Sequence, residues 1–122
     1  MIINLVDELV TALNGIDGIA FARDAWENVA PENYGVVELT GQTDAVWADG
    51  HMIEQSYAGR VTIYVTGGED HWLNAVQEKL DEADIPYRFP TRTYEYDINK
   101  VSWQWDITLY GQLTRVVEDG TT

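Results

Sequence analysis

TDAVWADGHMIEQSYAGRVTIYVTGG, residues 43–68, holds the pattern on which the fold turns. Val61, Ile63 and Val65 alternate with Thr62, Tyr64 and Thr66, the period-two signature of a strand with one apolar face. Upstream, Asp49-Gly50 is a strong tight-turn signal between two runs able to form strands, so a long hairpin centred on that dipeptide is expected. One face of such a hairpin meets a core. An antiparallel sheet leaves the other face open to water or to a neighbouring subunit.

Working outward, YGVVELTG (34–41) reads as a strand before the hairpin. After it, Gly67-Gly68 introduces a change to helical period. Thr66 and Glu69 have capping-box spacing, Glu69 and Asp70 suit a first turn, and Trp72, Leu73, Val76, Leu80 and Ala83 form an apolar stripe that Ile85-Pro86 ends. TRTYEYDIN (91–99) alternates through Tyr94, Tyr96 and Ile98. KVSWQWDITLYG (100–111) alternates through Val101, Trp103, Trp105, Ile107 and Leu109, so a terminal hairpin is expected. At the other end Ile2, Leu5, Val6, Leu9, Val10 and Leu13 recur at intervals of three and four, a helix stopped by Asn14-Gly15. IAFARDAWEN (19–28) reads as a strand carrying Ile19 and Phe21, then an irregular excursion around Trp26.

Helix, several strands, helix, strand, strand, with hairpin-length links, predicts an α+β domain: a largely antiparallel mixed sheet with two amphipathic helices packed on one face. A doubly wound sheet would need helices alternating with nearly every strand. One domain over residues 1–122 is expected, with an ordered core over about 2–111 and a polar tail over 116–122. The expected core is Leu5, Leu9, Leu13, Val61, Ile63, Val65, Leu73, Val76, Leu80, Trp103, Trp105 and Ile107.

Charge narrows the function classes. The 122 residues carry 7 Lys and Arg against 21 Asp and Glu, a formal charge of −14. Seven scattered cations make a poor surface for a phosphate backbone or an anionic lipid, so neither specific nucleic-acid binding nor a membrane partner is expected. There is no cysteine, which excludes disulfides, thiolate zinc sites, cysteine nucleophiles and iron–sulfur clusters. No apolar run approaches about 20 residues, and the first residues lack the positive region of a signal peptide. A soluble protein working where it is made is the expectation.

Catalytic carriers are few. His51 sits beside the Asp49-Gly50 turn and His71 in the first turn of the second helix. Ser56 and Ser102 lie in no nucleophile elbow. Asp81, Glu82 and Asp84 crowd one surface turn, while Glu27 and Glu32 flank Pro31, without EF-hand or zincin spacing. TGGEDH (66–71) imitates an anion-binding loop, but its acids and its lack of a P-loop lysine favour a plain strand-to-helix turn. The reading is of no enzyme, no cofactor and no metal site. Five tryptophans and seven tyrosines are the more informative excess. In YEYD and WQWD they interleave with acids, which favours core or interface over base stacking. Trp26 and Trp47, in the less regular stretches, are interface candidates, and so is the hairpin tip with Asp49, Gly50, His51, Met52, Ile53 and Tyr57.

The order of elements resembles the small tail-completion proteins of long-tailed phages, the tail terminator group with its head–tail joining and minor tail components. The parts that carry the resemblance are the opening helix, NVAPENYGVVELTG (28–41), DAVWADGHMIEQSYAGRVTIYV (44–65), GGEDHWLNAVQEKLDEADI (67–85) and YEYDINKVSWQWDITLYG (94–111), together spanning essentially residues 2–111. The resemblance implies a structural virion protein: a homo-oligomer, usually a hexameric ring, at the head-proximal end of the tail tube. Its implied partners are the tail-tube protein and the head-completion or connector protein. Assembly would occur in the host cytoplasm, and DNA would pass through without being specifically bound. The competing reading is an acidic DNA mimic or adaptor that binds a basic partner through its carboxylates.

Overall fold

Leu5, Val6, Leu9 and Leu13 turn inward from the first helix because their spacing stacks them on one stripe. This helix, α1, spans Ile2–Leu13 in the computed structural model, which describes residues 2–26, 29–48 and 51–112. Asn14 ends α1 and does a second task. Its side-chain amide donates to Phe21 O (3.1 Å) and its Oδ1 accepts from Phe21 N (2.7 Å), standing in for a neighbouring strand on β1 (Ala20–Arg23). Arg23 reaches back to Asp7 on α1 at 3.2 Å.

β2 (Tyr34–Ala48) and β3 (His51–Val65) are the expected hairpin, each fifteen residues long. The strand expected over 34–41 does not stop there: β2 runs on to Ala48, because pairing with β3 absorbs Gly41 instead of turning at it. α2 (Glu69–Glu82), β4 (Thr91–Glu95) and β5 (Lys100–Gln112) complete the chain. The five strands lie in the order β1-β2-β3-β5-β4, with β1 parallel to β2 and every other pair antiparallel. This is the expected α+β fold: a mixed, mainly antiparallel sheet with two helices packed on it.

The strand period selects the core. Val61, Ile63 and Val65 of β3 and Trp105 of β5 are fully buried beneath Val6 and Leu13 of α1 and Val76 and Leu80 of α2. Each such aliphatic side chain contributes about 1.5–3 kcal/mol relative to exposure. Trp105 keeps its polar atom satisfied by donating Nε1–H to Gln77 Oε1 on α2 (3.2 Å). Leu5, Leu73 and Trp103, expected in the core, sit partly exposed at its margin, whereas Ile16, Ile19, Phe21 and Val37 join its centre. Ile16 and Ile19 lead into β1, which carries Phe21 alongside Gly35 of β2.

Two local expectations fail for identifiable reasons. No capping box opens α2: Gly68, at φ 62°, is the N-cap with no side-chain bond, and the Thr66 backbone N–H and hydroxyl are both directed to Asn33 Oδ1 instead. The alternation read through Ile98 stops at Glu95. Residues 96–99 are a turn that closes with Asn99 at φ 53°, a conformation asparagine tolerates better than most residues. The polar tail over 116–122 lies outside the described residues.

Candidate assembly surfaces

Among the described residues, the three central strands run on past the two strands that flank them. β1 pairs only with residues 34–37 of β2, and β4 only with 100–104 of β5, yet β3 stays paired to β5 as far as Glu54↔Gln112 and to β2 as far as Ala48↔His51. The expected long hairpin is therefore part of a three-stranded tongue. From Leu39 to Ala48 it extends roughly 30 Å at about 3.3 Å per residue. Register shifts between Leu39 and Gly41, between Gln42 and Asp44, and between Val46 and Trp47 mark bulges along it. Such bulges are points at which a strand gains local twist and bend.

The interface residues expected from sequence divide into three groups. Trp47, His51, Met52 and Ile53 lie on the distal tongue, where Trp47 pairs with Met52. Asp49 and Gly50 fall outside the described residues. Trp26 and Tyr57 are placed elsewhere: Tyr57 packs partly buried against the core at the root of the tongue, and Trp26 donates Nε1–H to Gly35 O at 3.2 Å. Trp26 also meets Tyr34 edge-on at 6.3 Å, and Tyr34 stacks on its cross-strand partner Tyr64 at 5.0 Å and 24°.

That aromatic trio belongs to the sheet face opposite the helices, which is more structured than an open polar face. Ser102 and Thr62 are buried there; Ser102 Oγ donates to Glu95 Oε2 (2.9 Å), and Arg60 lies between Glu38 (3.9 Å) and Asp106 (3.7 Å) on the flanking strands. Burial, then the neighbouring Tyr34, Glu95 and Glu38, pushes the Tyr64 phenol above its ordinary value, so it stays protonated at neutral pH.

Sequence reading missed a second surface. Four large apolar side chains between residues 89 and 98 stand exposed: Phe89 (85%), Tyr96 (81%), Tyr94 and Ile98. They flank β4, an edge strand, and Tyr94 and Tyr96 meet edge-to-face at 4.7 Å. The DIN run at 97–99 was the signal that could have revealed it, since a polar turn there ends the strand and releases Tyr96 and Ile98 from any sheet face.

Among the described residues no three His, Asp or Glu side chains are grouped to hold a metal. His71 is exposed and leans edge-on against Trp72. A shallow groove of about 270 Å³ between α1, the end of α2 and β5 has an apolar floor that includes Leu5, Leu9 and Ile85, with Glu8 and Asp84 beside them and no histidine. No described helix is long and apolar enough to cross a membrane. Comparison with known proteins finds no family model that matches the chain and no curated protein similar to it.

Proposed function

We propose that this chain is a ring-forming structural subunit of a long-tailed phage tail, a tail terminator or tail-completion protein that caps the tail tube and offers a docking face to the head connector. The observation that supports the reading is the three-stranded tongue, in which β2, β3 and β5 stay paired beyond the stretches that β1 and β4 flank, among the described residues. Cyclic assembly beyond a dimer needs two different contact surfaces on each subunit, and a projecting arm paired with a separate receiving face supplies both. The resemblance in element order adds the tail context.

In this role the protein is not an enzyme and acts in the virion tail. A net charge of −14 per subunit lines a passage without the counterion-releasing contacts by which proteins hold DNA, so duplex slides through. Apolar ring edges supply affinity for the tube and connector subunits, and charge sets their orientation. Added to polymerising tail-tube protein, the purified chain should stop elongation at a stoichiometry of one ring per tube end, seen as shortened, capped tubes by electron microscopy. Tubes of unchanged length with bare ends would refute the role.

The same charge also supports the adaptor or DNA-mimic reading, and salt separates the two. Repulsion between like subunits weakens ring assembly at low ionic strength, whereas attraction to a basic target is strongest there. Sedimentation between roughly 0.03 and 0.5 M salt spans a severalfold change in Debye length. Absent self-association together with salt-sensitive binding to one basic nuclease or repressor would favour the mimic.

A further inference from the structure

We propose that Asn14-Gly15 is a spontaneous modification site, a deamidation that the docking of β1 holds in check and whose product weakens that docking. Asn14 is the one asparagine in the chain that glycine follows. A glycine there leaves its own backbone nitrogen open to approach, with no Cβ to obstruct it. That nitrogen, once deprotonated, attacks Asn14 Cγ. The new N–C bond closes a cyclic imide, while Nδ2 takes up a proton and leaves as ammonia. Water then opens the imide at either carbonyl, giving aspartate or its β-linked isomer, isoaspartate. The net exchange is one water for one ammonia, with nothing oxidised or reduced. Asn14 and Gly15 are both exposed, so water and hydroxide reach them.

The native bonds restrain both reacting atoms. Gly15 N–H donates to Ala12 O at 3.1 Å, which keeps its proton engaged. The Asn14 carboxamide is held at both ends by Phe21: Oδ1 accepts from the backbone N–H (2.7 Å) and Nδ2 donates to the C=O (3.1 Å). Ring closure makes Cγ tetrahedral and expels Nδ2, so it does not proceed with these bonds in place. Reaction therefore waits for β1 to open. β1 has four residues and ends the sheet, and such an element opens locally at less cost than global unfolding.

The product cannot rebuild the clamp. A carboxamide has an acceptor end and a donor end, whereas a carboxylate only accepts. After conversion to aspartate one oxygen still takes the Phe21 N–H, but the other faces the Phe21 C=O, acceptor against acceptor. Isoaspartate in addition lengthens the backbone by one carbon between α1 and β1. Phe21 is buried in the core, so a change made in an exposed turn loosens the packing of β1 on β2.

The test follows residue 14 by tandem mass spectrometry, with an isoaspartate assay for the isomer, in the full chain kept in native buffer or in guanidinium chloride at one pH and temperature. In denaturant Asn14 should convert ahead of the other five asparagines; conversion no faster than theirs would overturn the site. In native buffer it should convert about tenfold more slowly or less, the protection expected of two hydrogen bonds. Equal rates in the two buffers would overturn the restraint. Two variants, each checked for folding by circular dichroism, separate β1 opening from global unfolding. Gly35→Ala crowds Phe21 and should speed native conversion severalfold. Val76→Ala, at a fully buried position on α2, leaves the Phe21–Gly35 contact intact and should stay within about twofold of wild type. Equal acceleration by both would mean that conversion waits for global unfolding, and would overturn the coupling to β1. Asn14→Asp supplies the product directly. It should exchange the β1 amides severalfold faster with β3–β5 protection unchanged, and unaltered exchange on β1 would overturn the consequence drawn for the fold.

Discussion

Of the described glycines compared for room, Gly35 has the least space for a Cβ, and replacing it with alanine should be destabilising although its backbone conformation suits any residue. It lies on β2 between Phe21 of β1 and Ile63 of β3, and its carbonyl accepts the Trp26 indole N–H. A Cβ there would stand 2.3 Å from Phe21 Cε2 and 2.4 Å from Cδ2. Ordinary contact begins near 3.4 Å, so the ring must retreat by about 1 Å, and Phe21 is itself only 4% exposed. Overpacking of this kind costs about 1–3 kcal/mol. Alanine recovers about 0.4–1 kcal/mol by reducing the freedom of the unfolded chain. A net loss of about 1–2 kcal/mol is expected. Phe21→Ala alone should cost about 3–5 kcal/mol by leaving a cavity, but in that background the Gly35 methyl enters space already vacated. Gly35→Ala should then be neutral or stabilising, and the pair should fall short of additivity by at least about 1 kcal/mol. Urea unfolding followed by tryptophan fluorescence measures all four corners of the cycle. A Gly35→Ala protein as stable as wild type, or effects that add within about 0.5 kcal/mol, would refute the packing of β1 against β2.

Further outcomes follow from the helix layer. Leu80→Ala, at a fully buried position on α2, should cost about 2–5 kcal/mol in the same unfolding assay; an unchanged midpoint would mean that α2 packs by another face. Arg92 holds the Glu69 carboxyl below the usual carboxylate range through hydrogen bonds of 2.7 and 3.1 Å. A depressed carboxylate stabilises the fold above its ordinary range, and that contribution is lost as pH falls through the depressed value. Arg92→Gln should raise the Glu69 titration towards the ordinary range by NMR and remove that part of the acid sensitivity; identical titration in both proteins would refute the pairing.

Both helices, the antiparallel pairing of the runs on either side of Asp49-Gly50 and the inward face of Arg60–Thr66 were legible, because periods of 3.6 and 2 and one turn signal are displayed by a few residues. The same is true of the core role of Trp105. Its strand alternates cleanly, and burial on one side is what alternation encodes. The absence of cysteine chemistry and the threefold excess of acids over cations also follow from composition alone, since residue counts do not depend on folding.

Only the tertiary structure decided what lies between distant segments. Gly35 looks like any strand glycine until Phe21, fourteen residues earlier, is laid across it by a parallel pairing that no local pattern announces. Thr66 has the spacing of a helix cap and is taken by Asn33, because β2 and β3 bring the two residues together. The hairpin becomes a three-stranded tongue because β5 pairs alongside β3 as far as Gln112, and β4, beside which Tyr94, Tyr96 and Phe89 stand exposed, is the last strand of the sheet among the described residues. Periodicity reports which side of an element is apolar. The partner that covers that side, or leaves it bare, is fixed by contacts whose sequence separation is far longer than any repeat in the chain.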